Sequence, residues 1–297
     1  MICTVNKLNK SYKNNKVLNN ISFNIEHPQI LALVGPNGSG KSTLMNCMMN
    51  LISFDSGEIK ILDMDNRNPS IFKSVSYLKD NRILYPYLSG YDHLKYICDI
   101  QKLDYKNIAK VAEKVGIDNF YKKRVDTYSL GMKQRVLLAM SIINNPKLIL
   151  MDEPLNGLDT DSIFSFRDLM KELHAKGTTI LISSHTLSEL DYITNDILFL
   201  KDGSIIYEDI EKYKQTEYKI LVNDKSQLKK LDNFLSSNYS LENYNNNLST
   251  NELIIRLNAG EINKIIQVIY ENNIEIERMI SKTYGAEDRY KQIFDIK

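Results

Sequence analysis

The sequence predicts an α/β fold with a helical insertion between strands and a small C-terminal α+β domain. Three observations carry that prediction. The apolar run Ile30-Leu31-Ala32-Leu33-Val34 leads into a Gly-rich loop and then the helix-forming stretch Leu44-Met45-Asn46-Cys47-Met48-Met49. Two further short apolar runs, Leu148-Ile149-Leu150-Met151 and Thr178-Thr179-Ile180-Leu181-Ile182-Ser183, stop abruptly at polar residues, as buried strands do. Beyond residue 211 a separate apolar pattern begins, alternating strand-like and helix-like stretches.

The bulk properties bound the rest. A chain of 297 residues has room for one large domain or two. With 38 Lys and Arg against 37 Asp and Glu, no global field points to nucleic acid or an acidic partner. Cys3, Cys47 and Cys98 are scattered without C-x-x-C spacing and read as reduced thiols of a cytosolic protein. No apolar run approaches the ~20 residues a membrane helix needs, and the N-terminus has no signal-like apolar region. Any action at a membrane is therefore expected from its aqueous side.

In chain order, residues 2–26 alternate well enough for two or three strands, broken at Lys13-Asn14-Asn15-Lys16. Tyr12 lies just before that break. An aromatic there is most often simply packed or half-exposed. The Gly-rich loop follows about two dozen residues later, so the ring could instead stack on a purine, and both readings stay open. The loop itself, Gly35-Pro36-Asn37-Gly38-Ser39-Gly40-Lys41-Ser42-Thr43, fits G-x-x-x-x-G-K-[ST] in the strand–loop–helix context that a phosphate-binding loop requires. Its glycines let backbone N–H groups turn towards phosphates, and the helix N-terminus adds its positive dipole end. Lys41 would reach the β- and γ-phosphates, and the Ser42 hydroxyl would sit on Mg²⁺.

Ser56 to Ile61 reads as a turn into a strand, and Val75-Ser76-Tyr77-Leu78 as a strand entering the polar loop Lys79-Asp80-Asn81-Arg82. From Leu88 to Asn145 apolar residues recur at helical spacing, an insertion between strands. It ends in Tyr128-Ser129-Leu130-Gly131-Met132 and a helix over Val136 to Ile143. Ser129 suits a helix cap, and the same exposed N–H groups and hydroxyl could hold an anion. The strand at 148–151 ends in Asp152-Glu153-Pro154. Asp152 is placed to hold Mg²⁺ through water, and Glu153 to polarise an attacking water. Asn156-Gly157-Leu158-Asp159 makes a turn, Asp161 to Lys176 a helix, and the strand at 178–183 ends at Ser184-His185. Strand C-termini are where ligands sit in open α/β sheets.

Together these segments resemble the nucleotide-binding subunit of an ATP-binding-cassette (ABC) transporter over about residues 2–207, which implies a P-loop cassette with a mixed sheet core, an antiparallel N-terminal β part and a helical subdomain. The resemblance makes 35–43 the Walker A loop and Leu148–Glu153 the Walker B strand, with Glu153 the catalytic carboxylate. It makes Tyr128 to Met132 the family signature, Asn156 to Asp159 the D-loop, His185 the switch histidine and Tyr12 the adenine-stacking aromatic. It implies Gly35, Asn37, Gly38, Ser39, Gly40, Lys41, Ser42 and Thr43 around ATP, and Ser42, Asp152 and Asp80 around Mg²⁺. It also implies two chains sandwiching two nucleotides, with Ser129 and Gly131 lent to the partner's γ-phosphate. Two departures stand out. The signature carries Tyr128, Leu130 and Met132 where the family has Leu, Gly and Gln, and Asp80 occupies the place of a metal-facing Gln.

The resemblance further implies a separate transmembrane permease, a second nucleotide-binding subunit, identical or not, and a peripheral position on the cytoplasmic face of the cell membrane, with no nucleic acid partner. Domains are expected at 1–210, with a helical subdomain at about 88–145, and at 211–297. In the latter, strands are expected over Glu217–Val222, Glu252–Leu257 and Ile274–Ile280. Helices are expected over Lys225–Leu235 and Ala259–Asn272, with Ile262, Ile265, Ile266 and Ile269 on one face of the second. Asn243 to Asn247 reads as a loop or hairpin tip, giving a ferredoxin-like order. Tails of this kind, and the Ser-Leu-Gly-Met signature, resemble those of ATPases serving exporters of lantibiotic-like or cytolytic peptides. The rival readings are a soluble ABC-type ATPase acting on ribosomes or DNA, and a weakly hydrolysing nucleotide-gated clamp, motivated by Asp80.

Overall fold

In the computed structural model the described residues are 1–185, 187–213, 215–238, 244–247, 250–258 and 260–296. Contacts divide the chain into two compact units, Met1–Glu208 and Asp209–Lys297. In the first, β1 (Cys3–Tyr12) and β2 (Asn15–Ile25) form a hairpin that closes with Tyr12 opposite Asn15. β3 (Ile30–Val34) and α1 (Lys41–Met48) flank the Gly-rich loop. Then come β4 (Ser56–Ile61), β5 (Met64–Asp65) and β6 (Val75–Leu78). The helical insertion holds α2 (Gly90–Gln101), α3 (Lys106–Lys114) and α4 (Leu130–Ile142). β7 (Leu148–Asp152), α5 (Thr160–Ala175), β8 (Thr179–Ser183), α6 (Leu187–Leu190), β9 (Asp196–Lys201) and β10 (Ser204–Asp209) complete it.

Two sheets result. One is antiparallel, in the order β2-β1-β4-β5. The other has the order β10-β9-β3-β8-β7-β6, and β3 runs parallel to β8 and β9, as β7 does to β8 and β6. Every residue of β3 and β8 is buried, which is why both read as unbroken apolar runs. Leu31, Leu33, Leu150, Leu181 and Leu198 pack there against Leu44, Met45 and Met48 of α1. Parallel pairing has a positional consequence. Leu33, Ser183 and Asp152 share one row, so the loops that follow β3, β7 and β8 leave from the same edge. The helix expected from Val136 starts earlier, at Leu130, because Ser129 caps it.

The thiols are buried and free. Burial pushes Cys3 up to about 12 and Cys47 up to about 11, so neither is poised as a thiolate at neutral pH.

The second unit runs β11 (Thr216–Val222), α7 (Lys225–Asn238), β12 (Tyr244–Asn247), β13 (Glu252–Leu257), α8 (Ile262–Glu271), β14 (Ile276–Thr283) and α9 (Ala286–Ile293). Its antiparallel sheet has the order β12-β13-β11-β14, which interleaves two β-α-β halves in the ferredoxin-like manner. Four sequence expectations change here. Tyr244–Asn247 is not a loop tip but an edge strand paired with β13, because main-chain ladder bonds form even where Asn side chains are poor strand formers; Asn243 lies outside the described residues. The helix expected from Ala259 begins at Ile262, and Ala259 too lies outside them. Its buried stripe is Ile265, Val268 and Ile269, while Ile266, turned away from that stripe, is 48% exposed. The last strand starts two residues later than expected, leaving Ile274 in the core before it, and α9 follows it unforeseen.

Candidate functional site

The shared strand edge builds a compact charged cluster. Gly40 sits at the start of α1 with φ +109°, and a Cβ there would lie 2.8 Å from Val17 Cγ1, so only glycine serves at that turn. The first N–H groups of α1 have no intrahelical acceptors, and no acidic residue occupies its first turn. Gly35 is buried, Asn37, Gly38 and Ser42 are exposed, and Ser39 and Thr43 are half-buried. The Ser39 hydroxyl oxygen is nonetheless buried without a partner among the described residues. A buried hydroxyl of that kind beside a free helix N-terminus fits a phosphate oxygen.

Lys41 is buried, and its Nζ donates to the carbonyl oxygens of Gly35 (2.7 Å) and Pro36 (3.3 Å). Glu153 Oε1 lies 3.9 Å from the same ammonium. Burial lowers the Lys41 pKa, and the carboxylates of Glu153 and then Asp152 oppose that fall. Glu153 Oε2 in turn lies 2.7 Å from His185 Nδ1 and accepts from His185 N at 3.3 Å. One carboxylate thus bridges the phosphate-loop cation and the imidazole. Ser183, fully buried, organises the pair of acids: its hydroxyl donates to Asp152 Oδ1 (2.7 Å) and accepts from Glu153 N (2.9 Å).

Asp80 lies nearby but engaged elsewhere. It caps a short 3₁₀ turn and is bonded by Arg82 through Nε (2.7 Å) and Nη2 (2.9 Å), which hold its carboxyl below the usual range. Burial, then the carboxylates of Asp152 and Asp80, push the Tyr77 phenol up. Tyr12, 49% exposed, closes the first hairpin with Lys10 Nζ 5.1 Å from its ring centre.

A second locus forms at the N-termini of α4 and α5. The Ser129 hydroxyl accepts from Met132 N (3.2 Å), and Gly131 follows it on an exposed helix end. Asp159 caps α5 by accepting from Ser162 N (2.8 Å), and that bonding holds its pKa down. Gly157 has φ +77° with Leu130 laid over it, a Cβ position only 2.0 Å from Leu130 Cδ2. Gln134 Nε2 donates to Asn156 O (3.4 Å) and Arg135 Nη2 to Ser162 Oγ (2.8 Å), fastening α4 to the turn before α5. Tyr128, the departure from the signature, is buried, with its hydroxyl donating to Lys123 O (2.9 Å) and accepting from Gly90 N (3.2 Å). It serves the helical insertion rather than the site.

So Lys41, Asp152, Glu153 and His185 come together, whereas Ser129 and Gly131 contact none of them. Sequence reasoning missed Ser183, Gln134 and Arg135. Ser183 had one available signal, its place at the end of a buried run. The other two sit within a helix and gave none. Among the described residues no cluster of three or more His, Cys, Asp and Glu is arranged to hold a metal.

The ABC transporter family pattern matches residues 18–156. A lantibiotic transport ATP-binding protein of Streptococcus pyogenes is 39% identical over 204 residues, covering 69% of this chain and 89% of that one. A bacitracin transport ATP-binding protein of Enterococcus faecalis is 29% identical and aligns over 96% of this chain and 94% of its own length, so its match includes the second unit. Among solved structures, an ATP-binding subunit of an ABC transporter superposes with a TM-score of 0.66 at 24% identity, covering 71% of this chain and 91% of that one. A dimeric ATP-binding cassette in a post-hydrolysis state with ADP and Pi gives 0.65 at 24%, covering 70% and 98%. These structures share the fold.

Proposed function

We propose, from the premise that this chain belongs to the ABC transporter family as an ATP-binding subunit, that it hydrolyses ATP to drive a separate permease exporting a peptide. The observation that carries the reading is the Glu153 carboxylate set between Lys41 and His185. In this scheme Lys41 exchanges its two loop carbonyls for β- and γ-phosphate oxygens, an exchange favoured because a buried ammonium gains from charged acceptors. Ser39 and the loop N–H groups close on the remaining phosphate oxygens, and Tyr12 offers its exposed face to the base. Glu153 takes the proton of the attacking water, and His185 holds that carboxylate in place. Ser42 and Asp152 are the residues that would hold Mg²⁺, which when bound neutralises charge on the transferring phosphoryl group. Asp80 joins them only after giving up Arg82.

Ser129 and Gly131 lie on a separate helix end, so a second cassette is needed to bring such a group to the γ-phosphate of this one. ATP then bridges two chains, and its hydrolysis frees them. The surface proposed for the permease is the exposed apolar stretch Ile83, Tyr85, Tyr87, Tyr96 and Ile100, which follows β6 and runs along α2. No helix among the described residues is long and apolar enough to cross a membrane. The peptide class is drawn from the printed names of the lantibiotic and bacitracin relatives. The test is co-purification of the tagged full chain from detergent-solubilised membranes. A polytopic membrane protein that raises its ATP turnover is expected; recovery with ribosomal components alone would overturn the reading.

A further inference from the structure

We propose that the helical insertion carries a lipid-facing strip whose partner is the anionic headgroup surface of a membrane leaflet. Contacts trace the strip. Tyr91 and Lys95 stand one turn apart on the same side of α2. The Tyr91 ring centre lies 6.1 Å from that of Tyr121, and Lys122 Nζ is 5.8 Å from the Tyr121 ring centre. At the other end, Lys95 Nζ is 5.7 Å from the ring centre of Tyr105. Three tyrosines and two lysines thus run on continuously, with both lysines exposed and Tyr105 49% exposed.

Charge selects the partner. Of the chain's 38 basic and 37 acidic residues, nine and five lie between Arg82 and Arg124, which leaves 29 against 32 elsewhere. The near-neutrality of the whole chain conceals a basic insertion on an acidic remainder. Such a separation orients a protein against a negative surface. The strip's own cations are not spent within the fold. Arg82, Lys106, Lys114 and Arg124 have carboxylate partners, while Lys95 and Lys122 have none among the described residues. The carboxylates of α2 are engaged: Asp99 accepts from the Tyr105 hydroxyl, and Asp92 accepts from Ser89 N (2.9 Å).

The tyrosines separate a lipid surface from a merely solvated charged face. Tyrosine has an apolar ring with a polar tip, and lysine an apolar stem with a charged head, so both suit the boundary between headgroups and acyl chains. Tyr96 and Ile100, assigned above to the permease, occupy the neighbouring row of α2. A chain docked there would bring the strip to the lipid around that partner. That placement rests on the permease reading; the affinity for headgroups does not.

The test is co-sedimentation of the full-length chain with vesicles of phosphatidylcholine alone, and of phosphatidylcholine and phosphatidylglycerol in equal parts, at about 0.1 M salt. The vesicles hold no permease. Binding to the anionic vesicles and not to the neutral ones is expected. A lysine near such a surface is worth about fivefold in partitioning, so Lys95→Gln combined with Lys122→Gln should weaken binding about 25-fold. Lys147→Gln combined with Lys171→Gln makes the same charge change at exposed positions elsewhere in the first unit, and should leave binding unaltered. Tyr105→Ser, at a helix-capping place that serine suits, should weaken binding with no change of charge. Parental thermal melts would show that the variants fold. Equal sedimentation with the two vesicle types, or equal losses for the two lysine pairs, would overturn the strip. So would tighter binding of a single-stranded RNA oligonucleotide, which would make the surface a nucleic-acid site. ATP binding is titrated on the same samples. A chain that binds ATP but not the vesicles marks failure of the lipid strip alone, and one that binds vesicles without ATP marks failure of the ATP reading.

Discussion

The two central sheets treat charge in opposite ways. In the six-stranded sheet, β3 and β8 are buried at every residue, and the side chains with chemistry collect where the strands end. In the four-stranded sheet, β11 and β13 alternate: Ile220, Val222, Leu253, Ile255 and Leu257 face the core, while Glu217 and Arg256 face outward and pair across the strands at 3.1 Å. Tyr284 completes that pair, donating to Glu217 (2.8 Å) with Arg256 4.9 Å from its ring centre. Charges in the second unit are thus neutralised within its own surface. At the first sheet's edge Lys41 answers Glu153 with Asp152 close by, an excess of carboxylate that gives the site something to exchange. A parallel sheet concentrates reactive ends, and an antiparallel sheet spreads its charges along a face.

That contrast can be broken by experiment. The largest effect is expected from Glu153→Gln, which keeps size and hydrogen bonding but loses basicity. Turnover should fall about 10²–10⁴-fold, roughly 3–5 kcal/mol of barrier, with ATP affinity retained. Wild-type turnover would move the base elsewhere. Next, Leu253→Ala removes a fully buried side chain from the second unit and should cost about 2–5 kcal/mol there, read by chemical denaturation. ATP affinity should not change, and a parallel loss would mean the units share one core.

Arg256→Ala should cost only about 0.2–1 kcal/mol, because the guanidinium is half-exposed. Burial pushes the Glu217 carboxyl up, but hydrogen bonds from Tyr284 and Arg256 outweigh it and hold its pKa down. Its stabilisation is therefore full above the unfolded-state pKa and is lost as pH falls through the lower folded value. Acid titration of the variant should flatten that dependence, and an unchanged slope would remove Glu217 as its source. The smallest effect is expected from ending the chain at Glu208, which should leave cooperative unfolding and ATP affinity of the first unit unaltered. A non-cooperative melt would contradict the division.

How much of this was legible in the sequence follows the same divide. Strands buried on both faces leave continuous apolar runs, so Ile30–Val34, Leu148–Met151 and Thr178–Ser183 were readable along with the acids and the histidine that end them. Asp80 was readable as a departure, but its capture by Arg82 was not, since that depends on a turn three residues long. In the second unit, Asn-rich edge pairing contradicts composition, and Ile266 matches the helical period yet falls outside the buried stripe. Gln134 and Arg135 were hidden because their partners, Asn156 and Ser162, are set by helix packing across more than twenty residues of chain.

Glu153 sits at φ +50°, a left-handed conformation that costs an ordinary L-residue about 1–2 kcal/mol and costs glycine almost nothing. A redesign guided by folding stability alone would accordingly favour glycine at this position, and would also relieve the crowding of two adjacent carboxylates. With Glu153 as the proposed base, it would yield a tougher protein that has lost it. On that proposal the chain holds local rigidity and turnover in opposition at one residue, and screens for thermal robustness in this scaffold are expected to drift towards inactive variants unless that codon is held fixed.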